Sequence, residues 1–259
     1  MRRKIIDISF TCGSSTHIGG ALSMTDLMAV LYSHTMNFDP SNPAWDKRDR
    51  FILSKGHGVL GFFPALLLAG FITEEKFATF QTNGSDLIAH PVMNLEIGIE
   101  SSSGSLGHGI SMAVGIALAA KKLGKKYHTY TLIGDGEANE GSVWEAVMLA
   151  SHHKLDNLTV IVDYNKLQND GGTTEIVSIP NMSERFNSFG WQAIDIDGHD
   201  IGAIVDAFER PTILKPKVIV ARTIKGKGVK FMENNNTWHH NRLTISNYEE
   251  AVTSLNSIT

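Results

Sequence analysis

The chain has 259 residues, a formal net charge of −4, and 42% hydrophobic against 19% charged residues. These values are ordinary for a globular protein with a sizeable core. The small negative charge argues against a nucleic acid or an anionic membrane as a partner, so we expect neither. The single cysteine, Cys12, excludes a disulfide within the chain and fits the reducing environment of the cytoplasm, where we expect the protein to reside.

The first third of the chain is predicted to contain two helices and one strand. The N-terminal segment MRRKIIDISF has Asp7 inside its apolar stretch and is a poor match to a signal peptide. Apolar residues at helical spacing predict a helix over residues 22–36, and residues 50–54 are predicted to form a strand. The longest apolar run, residues 58–72, is shorter than the roughly 20 residues that a membrane span needs. We therefore interpret it as a buried helix.

The rest of the chain is predicted to alternate between helices and strands. The predicted elements are a helix at 109–122, a strand at 126–134, a helix at 139–154, a strand at 158–165, a strand at 191–197, a helix at 200–210 and a strand at 216–223. The strands are apolar throughout, which is typical of a sheet covered on both sides. The predicted fold class is therefore α/β, a parallel sheet with helices on both faces, and ligands are expected at the carboxyl ends of the strands.

A GDG motif at residues 134–136 ends one of these strands, and Asn165 ends the next one. Because neighbouring parallel strands end at the same edge of a sheet, Asp135 and Asn165 are predicted to converge. A carboxylate, an amide oxygen and a loop carbonyl form an oxygen-rich half-shell, which suits Mg²⁺ and a bound phosphate. The glycines let backbone amides approach that phosphate, and the next helix adds its positive dipole. The sequence thus predicts a metal that holds a diphosphate.

Two other interpretations of this region compete with a metal site. GDG is also a common turn, and on its own it does not establish a binding site. The nucleotide-binding motifs GxxxxGK[ST] and GxGxxG after a strand are both missing from the sequence. Nucleotide binding is therefore not favoured.

Several motifs in the same order and spacing resemble the transketolase family, specifically the N-terminal subunit of its two-chain form. The matching segments are HIGGALSMTDLMAVLY at 17–32, RDRFILSKGHG at 48–58, AHP at 89–91, SSGSLGHGISMAVGIALAAK at 102–121, GDGEANEGSVWEA at 134–146, DYNKLQNDG at 163–171, DGHD at 197–200 and GKGVKFMEN…WHH at 226–240. The resemblance implies a thiamin-diphosphate-binding fold with thiamine diphosphate and Mg²⁺ as cofactors. It implies transfer of a two-carbon ketol unit from a ketose phosphate to an aldose phosphate.

The resemblance also implies roles for individual residues. The implied metal ligands are Asp135, Asn165 and the backbone carbonyl of Leu167. The implied cofactor contacts are made by His57, Gly104, Leu106, Gly136, Asn165 and His239. The implied catalytic residues are His17, His90 and His239, which would face the reacting end of the sugar, and Glu140 at the subunit interface, with Glu145 as a further candidate.

The chain has 11 histidines, and their residue type supports these roles independently. Imidazoles that titrate near neutral pH suit the proton transfers of ketol chemistry. The sequence leaves open whether His239 or His240 faces the site. His199 is expected to be a turn or cap residue, and His34 and His128 are expected to be structural.

Methionines and lysines are two further residue types with predicted environments. The methionines at positions 24, 28, 112 and 148 are expected to pack in the core. The lysines at positions 225, 227 and 230 are expected either to attract an anionic sugar or to coat a solvated loop.

The family's cofactor-activating glutamate lies on a second, pyrimidine-binding domain, which we do not find before Thr259. We therefore expect a single diphosphate-binding domain over residues 1–259 that is inactive alone. The expected partner is a C-terminal transketolase subunit, in a heterotetramer that acts on sugar phosphates. The alternatives are a deoxyxylulose-phosphate synthase-like subunit, a 2-oxo acid dehydrogenase α-like subunit, and a non-catalytic regulatory subunit of the same fold.

Overall fold

The computed structural model describes residues 1–257 and contains one five-stranded sheet within them. The strands are β1 Arg50–Leu53, β2 Thr129–Gly134, β3 Leu158–Tyr164, β4 Gln192–Asp197 and β5 Lys217–Arg222. Their spatial order is β1-β2-β3-β5-β4, and every neighbouring pair is parallel. The predicted α/β fold class is confirmed, and all five predicted strands are present with bounds shifted by at most a few residues.

Eleven α-helices lie in the described part of the chain. They are α1 Arg2–Thr11, α2 Ile18–Ser23, α3 Thr25–Val30, α4 Val59–Leu68, α5 Glu74–Phe77, α6 His108–Lys122, α7 Gly141–His152, α8 Thr173–Ile176, α9 Met182–Ser188, α10 Ile201–Glu209 and α11 Ile245–Asn256. Short helical turns occupy Leu31–Thr35, Gly56–Gly58, Leu95–Ile97, Glu137–Asn139 and Asn236–Trp238.

Helices cover both faces of the sheet. Along β3, Ile161 points into a core shared with α1–α4, α10 and α11, whereas Val160 and Val162 point into a second core with α6, α7 and α9. Alternate residues of a strand face opposite sides, so a strand that is buried on both sides must be apolar at nearly every position. Each such buried side chain contributes about 1.5–3 kcal/mol. This explains why β3 and β5 are nearly continuous apolar runs. The edge strand β4, QAIDID, is only partly buried and does alternate polar with apolar residues.

The predicted helix over residues 22–36 is divided in the structure. It begins earlier, as α2, and is interrupted at Met24 before α3 begins. The Thr25 hydroxyl donates to the Ala21 carbonyl, about one turn earlier, at 2.9 Å. Such side-chain bonds compete with the helical ladder and bend helices. Periodicity alone could not reveal this break.

The apolar run at residues 58–72 forms α4 and lies in the core, as predicted, with Pro64 inside the helix. Within residues 1–257, we find no helix with both the length and the apolar character needed to cross a membrane.

The core prediction for the methionines is only half right. Met24 and Met28 are fully buried, but Met112 is 44% exposed and Met148 is 50% exposed. The latter two lie on the outer faces of α6 and α7. Apolar residue type was therefore misleading for these two helices.

Candidate active site

Four parallel strands deliver polar residues to one edge of the sheet. Lys55 follows β1, Asp135 follows β2, Asn165 follows β3 and Lys225 follows β5. Because β1, β2, β3 and β5 are successive neighbours in the sheet, these residues come together although they are far apart in sequence. This edge is where α/β proteins bind ligands.

The Asp135 carboxylate is 5% exposed. It accepts hydrogen bonds from the backbone amides of Gly136 at 2.9 Å and Lys166 at 2.5 Å. Burial and the neighbouring Asp163 carboxylate raise the pKa of Asp135 to about 7. Asp135 therefore contacts the loop that starts at Asn165, as predicted, and its negative charge lacks a cationic hydrogen-bond partner within residues 1–257.

The other two predicted metal ligands lie in the same loop. The Asn165 amide oxygen accepts from the backbone amide of Leu167 at 3.1 Å, and the Asn165 amide nitrogen donates to Asp163 at 3.2 Å. In the described chain, no group of three or more His, Cys, Asp or Glu side chains has the arrangement of a metal site. The predicted set of metal ligands contains only one residue of these four types, Asp135. Its other two members are the Asn165 amide oxygen and the Leu167 backbone carbonyl. Such a set suits Mg²⁺, which completes its shell with phosphate oxygens and water.

A buried ion pair lies directly beneath these residues. Asp163 on β3 is fully buried and pairs with Lys55. It also accepts from Ser23 at 2.5 Å and from Thr223. Burial alone would raise the pKa of Asp163, but the Lys55 ammonium and these hydrogen bonds hold it below its ordinary value. The network joins β1, β3, β5 and α2 below the site.

Lys225 is also buried, at 1% exposure, so the expectation of a solvated loop is wrong for this lysine. Its ammonium donates to the carbonyls of Leu167 and Gln168, each at 3.2 Å, and lies 2.7 Å from His239 Nδ1. Burial and the nearby Lys55 lower the pKa of Lys225 to about 8, although neighbouring carboxylates oppose that shift. A cation thus lies beside a predicted metal ligand, the Leu167 carbonyl, and occupies one of its lone pairs.

Five histidines form a contiguous group, which we call the imidazole cluster. Its members are His17, His57, His90, His239 and His240. The His17 ring is central, with centroid distances of 5.1 Å to His57, 6.1 Å to His90, 5.4 Å to His239 and 4.4 Å to His240. The sequence left open which of the last two faces the site, and the structure brings both to it.

The pKa values of four members of the imidazole cluster depart from the expectation of titration near neutral pH. Burial, followed by neighbouring imidazoles and lysines, lowers the pKa of His17 to about 4 and that of His239 to about 3. Burial also lowers the pKa of His57 and His90. At neutral pH these rings are neutral in the chain alone, and a neutral imidazole offers one donor and one acceptor.

The loop at residues 104–107 lies against this cluster. Gly104 has φ +156°, and a Cβ atom at this position would lie only 3.1 Å from His90 Cδ2, so glycine permits the close contact. Leu106 is half-buried in the same loop. The buried Glu137 carboxylate accepts from the Gly107 amide at 2.9 Å and from a serine hydroxyl directly after β1 at 2.6 Å, which ties the loop to that strand. The sequence interpretation missed Glu137, although an acid directly after GDG is a visible signal.

Glu140, directly before α7, and Glu145, within α7, are both exposed. The exposed apolar residues Met112, Met148 and Leu149 lie on the same outer surface of α6 and α7. We call this surface the α6–α7 face. Glu140 adjoins the loop at residues 104–107. A Cβ atom added to Gly107, the last residue of that loop, would lie 2.9 Å from Glu140 Cβ.

Residues 5–255 match the family model described as "Transketolase, thiamine diphosphate binding domain". The chain therefore belongs to the transketolase family and carries its thiamine diphosphate binding domain, which confirms the resemblance found in the sequence. The fold agrees as well, because a transketolase of Pichia stipitis superimposes with a TM-score of 0.90 at 30% identity over 98% of this chain. This chain spans 39% of the Pichia protein and 40% of human transketolase, to which it is 36% identical.

Two similar bacterial proteins match over most of their own length. An apulose-4-phosphate transketolase subunit of Phocaeicola vulgatus is 42% identical, covering 97% of this chain and 89% of that protein. A 6-deoxy-6-sulfo-D-fructose transketolase subunit of a Clostridium species is also 42% identical, covering 92% and 88%. These names favour ketol transfer over the deoxyxylulose-phosphate synthase-like and 2-oxo acid dehydrogenase-like alternatives.

Proposed function

We propose that the chain is the N-terminal subunit of a two-chain transketolase. It would transfer a two-carbon ketol unit from a ketose phosphate to an aldose phosphate, using thiamine diphosphate held by Mg²⁺. The observation that carries this proposal is the convergence of Asp135, the loop 165–167 and the imidazole cluster at one edge of the sheet. The single cysteine fits a cytoplasmic location, which is part of the proposal.

The residues at the sheet edge fit the cofactor by charge and by donor type. Mg²⁺ would be held by Asp135, the Asn165 amide oxygen and the Leu167 carbonyl. The diphosphate would be contacted by Gly136, His57 and His239, and the Lys225 ammonium would balance part of its charge. The ring-binding end would be lined by Gly104 and Leu106. When bound, thiamine diphosphate supplies an electron sink for cleaving and forming the bond next to the ketose carbonyl.

The imidazole cluster would orient the sugar and hold its protons. His17 and His90 face the same space, and their ring nitrogens have no hydrogen-bond partner among residues 1–257. A neutral imidazole can accept a proton from one hydroxyl and return it to another oxygen. The proposed roles of His17, His90 and His239 follow from this capacity.

The α6–α7 face supports the presence of a second chain in the assembly. Exposed methionine and leucine side chains on two neighbouring helices are typical of a surface that is covered in an assembly. Glu140 on this surface would meet the partner's catalytic carboxylate, with Glu145 nearby. The Phocaeicola relative is named as one subunit of a transketolase, which agrees with a C-terminal partner carrying the pyrimidine-binding domain. We propose a heterotetramer with two copies of each chain.

The two bacterial relatives bear names with different ketoses, one a phosphate and one a sulfonate. Both substrates carry an anionic group, so we propose an anionic ketose as the donor. The proposed phosphate clamp belongs to the partner subunit.

The proposed function is tested by reconstitution. The purified chain should show no ketol transfer alone, and turnover should appear when a partner with the pyrimidine-binding domain, thiamine diphosphate and Mg²⁺ are added. A ketose phosphate should serve as donor, whereas pyruvate should not. Robust turnover by the chain alone would contradict the split site, and turnover of pyruvate would favour a deoxyxylulose-phosphate synthase-like activity.

Replacing Lys225 with methionine should weaken binding of thiamine diphosphate about 10- to 100-fold, because the cation that bonds the Leu167 carbonyl, a proposed metal ligand, and lies near the diphosphate site is lost. Calorimetric titration of the reconstituted complex at saturating Mg²⁺ measures this change. Lys230→Met is the matched control, since Lys230 is exposed in the same region, and it should bind like the wild type. Equal affinity in both variants would remove Lys225 from the proposed site.

A further inference from the structure

His240 is the one member of the imidazole cluster whose side chain is exposed. Its ring lies 4.4 Å from that of His17, with an angle of 43° between the planes. Within residues 1–257, neither ring nitrogen of His240 has a hydrogen-bond partner, whereas His239 contacts the Lys225 ammonium. The His240 side chain thus lies in the cluster, and no hydrogen bond to residues 1–257 explains its position there.

The backbone determines where His240 points. Thr16 and Asn241 form an isolated antiparallel bridge, with amide-to-carbonyl distances of 2.9 Å and 3.1 Å. Residues that flank such a bridge face the same side of the pair, and their side chains meet across it. His17 follows Thr16 and His240 precedes Asn241, so their contact is imposed by two backbone hydrogen bonds. The exposed ring is thus held next to the central imidazole.

The rings of the imidazole cluster lie at different depths below the protein surface. His57 adjoins the buried residues after β1, and His239 lies on buried Lys225. His17 lies between these two rings and His240. A sugar whose reacting carbons face His17 would present its next hydroxyl to His240.

We propose that His240 is a substrate-contact residue, whose imidazole hydrogen-bonds a hydroxyl of the ketose beyond the carbons that face His17. This inference rests on the proposed function and deepens it, because it adds a specificity contact on this chain. The hydroxyl both donates and accepts, so it can pair with an imidazole nitrogen that carries either a proton or a lone pair. A 2-oxo acid such as pyruvate has no hydroxyl for this contact, so His240 favours polyhydroxylated donors.

The test uses the reconstituted complex with His240→Ala and His240→Gln. His240→Ala should raise the KM for a ketose phosphate about 3- to 10-fold, as expected for one hydrogen bond. The kcat should change less than the KM, and the affinity for thiamine diphosphate should be unchanged. His240→Gln should recover part of the loss, because its amide also donates and accepts. His34→Ala is the matched control, since His34 is an exposed histidine that pairs with Glu209.

Two results would overturn the inference while leaving the proposed function intact. One is an unchanged KM in His240→Ala. The other is an equal loss of cofactor affinity, which would place His240 at the diphosphate instead of the sugar. If the wild-type complex shows no ketol transfer at all, the proposed function fails and this inference fails with it. Unchanged melting temperatures of both variants would show that the exposed position tolerates substitution.

Discussion

Asp135→Ala should abolish retention of thiamine diphosphate. The carboxylate is the only acidic side chain in the proposed Mg²⁺ shell, and without it the diphosphate charge loses the metal that compensates it. Changes to groups that merely hydrogen-bond a metal ligand already cost about 10- to 100-fold in metal affinity, so removal of the ligand itself should exceed that. Titration of the reconstituted complex with thiamine diphosphate, with and without Mg²⁺, measures the loss.

The fold of the free chain should respond much less than cofactor binding when only the charge is removed. Asp135 is buried beside a second carboxylate, Asp163, and like charges that are buried together repel each other. Asp135→Asn removes this repulsion but loses one of the two hydrogen bonds from backbone amides, so its metal-free form should melt close to the wild-type temperature. Asp206→Asn, on the exposed side of α10, is the control for both measurements. Mg²⁺-dependent cofactor binding that survives in Asp135→Ala would mean that the metal site lies elsewhere.

Lost cofactor binding in Asp135→Ala, together with an unchanged melting temperature in Asp135→Asn, would identify Asp135 as a metal ligand and not as a residue that stabilises the fold. A buried acid that stabilises the fold has a cation or several donors of its own. Asp163 is such a residue, because Lys55, Ser23 and Thr223 all contact it. Asp135 accepts from two backbone amides and, among residues 1–257, from no cationic side chain. This difference is why we propose Asp135, and not Asp163, as the metal ligand.

Much of the fold could be predicted from the sequence because strand burial and helix periodicity are local signals. The apolar segments at 126–134 and 158–165 correspond to β2 and β3, and their parallel pairing follows from the helix between them. The break at Met24 could not be predicted, since it depends on a hydroxyl, that of Thr25, which bonds backward within the helix. The exposure of Met112 and Met148 could not be predicted either, because an apolar residue type does not show whether a helix position faces the core or the outside.

The positions of site residues could be predicted where those residues directly follow a strand. Their burial and contacts could not be predicted where these depend on residues far away in sequence. Asp135 and Asn165 could be placed together because both follow neighbouring parallel strands. The burial of Lys225 was not predicted, because it depends on acceptors from a loop far away in sequence. The ion pair of Lys55 and Asp163 was also missed, although an acid inside the apolar strand LTVIVDYN is a signal that a buried cation must accompany it.

Lys55→Met should strongly destabilise the protein. Methionine keeps the length of the side chain but leaves the fully buried Asp163 carboxylate without its cation. Breaking a buried pair by removing one partner costs about 3–5 kcal/mol. For a chain of this size, about 2–4 °C is lost per kcal/mol, so the melting temperature should fall by roughly 6–20 °C. Urea unfolding and calorimetry of the free chain measure both quantities.

The double variant Lys55→Met with Asp163→Asn should be less destabilised than Lys55→Met alone, because no charge then remains buried. The asparagine oxygen can accept from one of the two neighbouring hydroxyls, and the other hydroxyl can turn to accept from the asparagine NH2, because Ser23 and Thr223 contact different oxygens of Asp163. Lys121→Met is the control, since Lys121 forms a partly exposed pair with Asp156 at 2.8 Å, and such pairs contribute less than about 1 kcal/mol. If the double variant were the less stable of the two, the cost would lie in lost packing at Lys55. The buried pair would then not be what joins the strands beneath the site.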